Sequence, residues 1–277
     1  MQNETLDALH KVHLDALLEI HRICRKHNIR YFIIAGTLLG AVRHGGFIPW
    51  DDDLDIGMLR GEYERFLRVA PRELSARYFL QTWRNDPGYF FPYAKVRVHN
   101  TRFVEHISRL APCHQGIFVD VFPFDNAPDN ALWRHMHQNL TKLLRVATLA
   151  RSAYDPPKGA LRHGTYKVLR VVTRLLPLQF WLGLEQRAIG LCRNGRSRDV
   201  VNVGGAYGYR RECLPRAFFE ELADIPFEGV PISAPVRYHD YLSTFYGDYM
   251  TPPPPDKRYN RHGVDELCFD CNAGGRK

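Results

Sequence analysis

The residues of this chain best suited to chemistry lie close together. Asp51, Asp53 and Asp55 follow a Gly36-Thr37 pair by about fifteen residues, and Asp53 and Asp55 alternate with Leu54 and Ile56. Side chains two apart on an extended strand share a face, so Asp53 and Asp55 are expected to point the same way while Leu54 and Ile56 enter the core. Two convergent carboxylates repel unless a cation lies between them. Mg²⁺ suits such a pair, because it takes one or two carboxylates and completes its shell with substrate phosphate oxygens. A small-residue turn such as Gly36-Thr37 lets backbone N–H groups approach a phosphate. Together these parts describe a phosphoryl-transfer site. The competing reading is a solvated acidic turn or an adventitious Ca²⁺ site, and the apolar alternation weighs against it.

A further carboxylate, Asp120, stands inside the otherwise apolar run Phe118 to Phe124. A buried carboxylate is costly without a partner, so Asp120 is expected to meet a cation, a donor or a metal, and it is the candidate third carboxylate and general base. Asp125 is more simply an acid satisfied by backbone donors at a strand end. Trp50, Tyr89, Phe90, Phe91 and Tyr93 read as core, or as a cage for a quaternary ammonium group. His262, Cys268 and Cys271 include a Cys-x-x-Cys pair, three ligands where structural zinc wants four.

The elements that must position these groups follow from periodicity. Leu6, Leu9, His13, Leu17, Ile20 and Cys24 recur at helical steps, which predicts an amphipathic helix over about 5 to 27. A strand is expected from Tyr31 to Ala35, then a glycine-rich loop through Gly46, a strand at the acidic run and a helix from Glu62 to Ala70. Further strands are expected at Tyr78 to Trp83, Tyr93 to Val98 and Ile117 to Phe122. This mixture predicts an α+β fold with a mixed-sheet catalytic core over residues 1–131. Residues 132–203 read as a basic helical subdomain or insertion, and 204–277 as a C-terminal segment packing back on the core, with a helix near Tyr238 to Tyr246 and an extended proline run from Thr251 to Pro255.

Composition narrows the class. With 277 residues, 45% hydrophobic and 25% charged, the chain is neither a disulfide-stapled miniprotein nor disordered. Its formal charge is +8, yet the stretch from Arg134 to Arg198 carries thirteen Lys or Arg against Asp155 and Glu185, so the excess sits in that segment. It predicts an anionic partner: an acidic glycan or the anionic face of a membrane, with Arg145, Arg151, Arg170 and Arg174 set among Leu and Val, or else an ordinary charged outer face. No nucleic-acid recognition motif accompanies it. Six scattered cysteines and no apolar leader point to reduced thiols in a cytoplasm.

The block Gly36-Thr37-Leu38-Leu39-Gly40-Ala41-Val42-Arg43-His44-Gly45-Gly46-Phe47-Ile48-Pro49-Trp50-Asp51-Asp52-Asp53-Leu54-Asp55-Ile56-Gly57-Met58 closely resembles the signature of the LicD family of phosphotransferases. Lys95-Val96-Arg97 with Thr101, Gly116 to Asp125, and Tyr246-Gly247-Asp248-Tyr249-Met250 resemble further family blocks in the same order. The resemblance implies a nucleotidyltransferase-like fold, shared with relatives of fukutin. It implies transfer of a phosphoalkyl group, phosphocholine first among them, from a CDP-linked donor such as CDP-choline to a sugar hydroxyl of a cell-surface glycan or its lipid-linked precursor, with release of CMP. Asp53 and Asp55 are then expected to hold Mg²⁺, or Mn²⁺ in its place, and Asp120 to complete the carboxylate set. Asp51 either touches the metal or orients its loop. Gly36, Thr37, Arg43, Lys95 and Arg97 are expected to bind substrate, the last three as phosphate clamps. Such an enzyme is expected in the cytoplasm, peripheral to the membrane face. The alternatives are a nucleotidyltransferase that releases pyrophosphate and a non-catalytic glycan-binding protein.

Overall fold

The computed structural model describes residues 3–155, 169–259 and 263–271. The chain opens with α1 (Asn3–Lys26), whose Leu9, Leu17, Ile20 and Cys24 are buried as the helical period requires. Asn28 takes a positive φ of 50° and turns the chain into β1 (Phe32–Ile33). Then come α2 (Ala35–His44), β2 (Asp55–Leu59), α3 (Arg60–Glu73), β3 (Tyr78–Gln81), β4 (Ala94–Val98), β5 (Arg102–Glu105) and β6 (Phe118–Asn126). The strands β1-β2-β6-β4-β3 form a mixed sheet in that order, with β2 and β6 parallel and the other neighbours antiparallel. The fold is α+β, as expected.

One expected element is different. The glycine-rich stretch after β1 is not a loop: from Ala35 to His44 it is helix α2, with Thr37, Leu38, Leu39, Gly40 and Ala41 buried. Its glycines serve close approach, not flexibility. A Cβ on Gly36 would collide with the Asp51 carboxylate, and one on Gly40 with the Gly46 carbonyl. β6 likewise runs past Pro123, where the sequence suggested a stop. Val121 is its last residue paired with β4, so the missing proline N–H breaks no bond to that neighbour.

The chain then forms α4 (Ala131–Arg151) and α5 (Leu178–Ile189), an antiparallel pair: His137 near the start of α4 meets the Ala188 carbonyl at 2.9 Å, and Arg151 at its end donates to the Leu176 carbonyl at 2.9 Å. Strands β7 (Asp199–Val201) and β8 (Cys213–Pro215) rejoin the sheet beside β6. The short helix α6 (Tyr209–Glu212), the hairpin of β9 (Leu222–Phe227) and β10 (Val230–Pro235), and α7 (Tyr238–Tyr246) follow, and β11 (Val264–Cys268) pairs with β5. No described helix is long and apolar enough to cross a membrane.

Beneath the sheet Phe32, Phe124 and Phe219 pack ring on ring, with centroids 4.7 Å apart for Phe32–Phe219 and for Phe124–Phe219. Gly57 of β2 makes the room, since a Cβ there would lie 2.6 Å from Phe32 and 2.7 Å from Phe124. Overpacking a dense core costs about 1–3 kcal/mol. Gly57→Ala is therefore expected to lose that much stability in urea unfolding, and an unchanged midpoint would show that the rings relax freely.

Candidate active site

The acidic run enters the sheet as its alternation requires. Leu54 and Ile56 are fully buried, while Asp51, Asp53 and Asp55 on the other side are half-buried. Asp55 is held at both ends: its N–H donates to Thr37 Oγ1 at 2.8 Å, and its carbonyl accepts from the Ile34 N–H at 3.2 Å. The first turn of α2 thus rests directly on the start of β2. That turn leaves backbone N–H groups without helical partners and carries the positive end of the helix dipole, a favourable setting for the Asp51 carboxylate lying against Gly36. Gly36, Thr37, Asp51 and Asp55 are therefore gathered as expected, with Asp53 two residues before Asp55 on the same side.

Asp120 joins them from the neighbouring strand. In the parallel register of β2 and β6, Asp55 pairs with Asp120, and the Asp120 N–H donates to the Leu54 carbonyl at 2.9 Å. Its partner is a cation of the protein itself. Lys95, opposite Asp120 in the β4–β6 register, places Nζ 2.9 Å from Asp120 Oδ1 and 3.3 Å from Glu105 Oε2, and is only 1% exposed. Burial pushes the Asp120 carboxyl up to about 6, with Lys95 drawing it down and Glu105 pushing it up. Burial, and then the Asp120 charge, hold the hydroxyl protons of Tyr89 and Tyr93 well above the usual tyrosine range.

The remaining expectations fall differently. Among the described residues no three His, Cys, Asp or Glu side chains converge to hold a metal ion, so the three aspartates do not form a closed cage. Asp120 is answered by Lys95, leaving Asp53 and Asp55 as the half-buried pair. This donor set fits Mg²⁺, which needs only one or two carboxylates when phosphate oxygens complete its shell. Lys95 and Arg97 are sealed in the interior. Arg97 is 1% exposed, donates to Gln81 Oε1 and the Gly116 carbonyl, each at 2.7 Å, and stacks 4.6 Å over Phe118. Both ties are structural, so Arg97 fastens strands together where a phosphate clamp was expected. Arg43 lies at the far end of α2 and donates to the Tyr249 carbonyl at 2.9 Å.

Two members of the aromatic run face a cation of the protein itself, Lys95, whose Nζ lies 5.3 Å from the Phe91 centroid and 5.8 Å from Tyr93, with Phe118 of β6 closest at 3.2 Å. Trp50 stands apart under Arg258. Asp125 is paired with Arg60 at 2.6 Å where backbone donors were expected. Of the three residues weighed as zinc ligands, His262 lies outside the described residues, Cys268 ends β11 and Cys271 follows it.

Three residues escaped sequence reasoning. Glu105 closes the Lys95 pair. Tyr241 of α7 accepts the Ala35 N–H at 3.1 Å on its hydroxyl, and so ties the C-terminal segment to the start of α2. Glu212, whose carboxyl burial pushes up to about 7, accepts the Tyr207 N–H at 3.2 Å and packs against Gly205. In the sequence it sits in the charged run Arg210-Arg211-Glu212, which looks like a solvated surface.

Residues 28–145 match the LicD/FKTN/FKRP nucleotidyltransferase domain. The chain is 27% identical over 265 residues, 95% of its length and 97% of the relative's, to the lipopolysaccharide cholinephosphotransferase LicD of Haemophilus influenzae. A shorter match, 57% identical over 30 residues, covers 11% of this chain and 6% of the human ribitol 5-phosphate transferase FKRP.

Removing the buried cation strands two acids. Lys95→Met is expected to cost about 3–5 kcal/mol, the usual penalty for breaking a buried ion pair, and adding Asp120→Asn should restore part of it in the same denaturation assay. Gly36→Ala should leave the melting temperature nearly unchanged while displacing Asp51. Turnover is expected to fall about tenfold or more, and an unimpaired Gly36→Ala enzyme would remove Asp51 from the site.

Proposed function

Starting from a chain whose residues 28–145 belong to the LicD family of phosphotransferases, we propose that it transfers a phosphoalkyl group, phosphocholine first among them, from a CDP-linked donor to a sugar hydroxyl of a surface glycan or its lipid-linked precursor. The observation that carries this reading is the parallel register of Asp55 with Asp120 beneath the first turn of α2. It supports this reading because it sets Asp55, with Asp53 two residues before it, beside a third acid, Asp120, at the N-terminal turn of α2.

In this reading Asp53 and Asp55 hold Mg²⁺, or Mn²⁺ in its place, and the ion when bound neutralises charge on the donor pyrophosphate. The first turn of α2 receives the same phosphates through its N–H groups and dipole. Asp51 orients this turn through its contact with Gly36. The acceptor hydroxyl oxygen attacks the phosphorus that bears choline, and the bond from that phosphorus to the CMP oxygen breaks in line. Asp120 accepts the hydroxyl proton. Its raised affinity for protons makes it a stronger base than an exposed carboxylate, while Lys95 favours its ionised form. The products are CMP and a phosphodiester. The relatives named for cholinephosphotransferase and ribitol 5-phosphate transferase activity support transfer of a phosphoalkyl group; the CDP-linked donor and a cytoplasmic site of action are part of the proposal.

Purified protein given CDP-choline, Mg²⁺ and acceptor glycan is expected to release CMP, and given CTP to release no pyrophosphate. Asp53→Asn and Asp55→Asn should each lower CMP release by at least about a hundredfold, and Asp120→Asn by about 10²–10⁴, with circular dichroism unchanged in all three. Pyrophosphate release from CTP would replace this reading with nucleotidyl transfer.

A further inference from the structure

Outside the catalytic core, the outer face of the α4–α5 hairpin is apolar where solvent would demand polar side chains. Leu132, Trp133, Met136, Leu140 and Leu143 recur at three- and four-residue steps on α4, so they lie on one side of the helix. All five are exposed, Leu132 at 69% and Leu143 at 64%. The neighbouring side of α4 carries the buried His137, Thr141 and Thr148, and the stripe itself becomes buried only towards the C-terminal end at Ala147 and Ala150, so the first half of this helix has apolar character where a surface helix is usually polar. Beyond the far end of α4, Val171, Val172 and Leu175 are exposed as well, Leu175 at 84%. Two arginines fix that tip: Arg151 donates to the Leu176 carbonyl at 2.9 Å and Arg170 to the Tyr154 carbonyl at 3.0 Å.

Cations accompany this surface in the sequence. Lys142 on α4 and Arg174 within the Val171–Leu175 tip are exposed, and the Arg134 to Arg198 stretch holds only two acids. From these observations we infer that the outer face of α4, with the Val171–Leu175 tip, docks on the surface of an anionic phospholipid bilayer. Apolar side chains enter the acyl boundary while Lys and Arg meet headgroup phosphates, the division of labour of an interfacial helix. Trp133 at one end of the stripe suits the headgroup level, since its ring is apolar and its N–H polar. A second copy of the chain is the weaker occupant, because two such basic segments would face and repel each other across a two-fold contact. The inference concerns where the protein sits and does not depend on which group it transfers.

The full chain is incubated with vesicles of phosphatidylcholine alone or of phosphatidylcholine mixed with phosphatidylglycerol, and the bound fraction is measured by sedimentation. Wild type is expected to bind the phosphatidylglycerol vesicles and to be released by high salt. Met136→Asp with Leu143→Asp should weaken that binding by about tenfold or more, since each buried apolar side chain accounts for roughly that factor. Lys142→Glu with Arg174→Glu should abolish the preference for anionic lipid. Both pairs of substitutions are at exposed positions and should keep the wild-type melting temperature and CMP release from soluble donor. Absence of vesicle binding, or equal binding by the Asp variants, would overturn the inference. So would a wild-type dimer in analytical ultracentrifugation that the Asp variants split, which would assign the stripe to a second copy. Loss of CMP release with vesicle binding intact would instead count against the transfer reading alone.

Discussion

The architecture depends on setting two aspartates side by side in adjacent strands. Asp55 and Asp120 are register partners, and neighbouring strands lie about 5 Å apart. Lys95, inserted from β4 on the far side of Asp120, answers the buried Asp120 charge inside the protein, and Glu105 is the acid that pushes against it. Much of the local sequence then follows from keeping one ammonium in a dry interior. Glu105 balances it, and Phe118, Phe91 and Tyr93 turn ring faces toward it. Arg97, stacked on the same Phe118 ring, fastens β4 to the residues around it through Gln81 and Gly116.

An internal cation of this kind changes what the site asks of a ligand. Asp120 is answered inside the protein by Lys95, while Asp53 and Asp55 keep partial exposure at the start of β2. The chain itself thus closes the Asp120 side of the cluster with Lys95 and Glu105. The same closure accounts for part of the aromatic run: the Phe91 and Tyr93 rings, with Phe118, are already turned toward the Lys95 ammonium.

Some of this was legible in the amino-acid sequence and some was not, for definite physical reasons. The alternation of Asp53 and Asp55 with Leu54 and Ile56 is a period-two signal, and it survives as written. The cost of burying Asp120 required a partner, which was foreseen, but Lys95 read as a ligand-binding cation because a lone lysine in a strand carries no mark of what lies across the sheet. Helix α2 was hidden by its own glycines. Their usual meaning is a turn, whereas here Gly36 and Gly40 let the Asp51 carboxylate and the Gly46 carbonyl approach. Glu105 lies ten residues from Lys95 but carries no mark of that pairing, and Tyr241 and Glu212 come from the C-terminal third of the chain, where only tertiary packing gives them their partners. Tyr241 shows this best, reaching 206 positions back to the Ala35 N–H.

The basic hairpin belongs to the same mechanical unit as the acids. Its inner side is bonded to the segment that leads into β4: Gln179 donates to the Pro87 carbonyl at 3.3 Å, Arg145 to that of Phe90 at 2.7 Å, and Gln186 to that of Pro92 at 2.9 Å. Three residues after Pro92 the chain reaches Lys95 and its pair with Asp120. Arg145 also lies 3.8 Å from the buried Glu185 of α5, so the two helices of the hairpin are tied to each other as well as to the sheet. A surface bound to the outer side of α4 would therefore hold Asp55 and Asp120 at a set height and orientation, because the hairpin is bonded to the segment that leads into the strand carrying the buried cation. For an enzyme whose acceptor is anchored, such rigidity confines the search for the hydroxyl to two dimensions and leaves orientation to the protein.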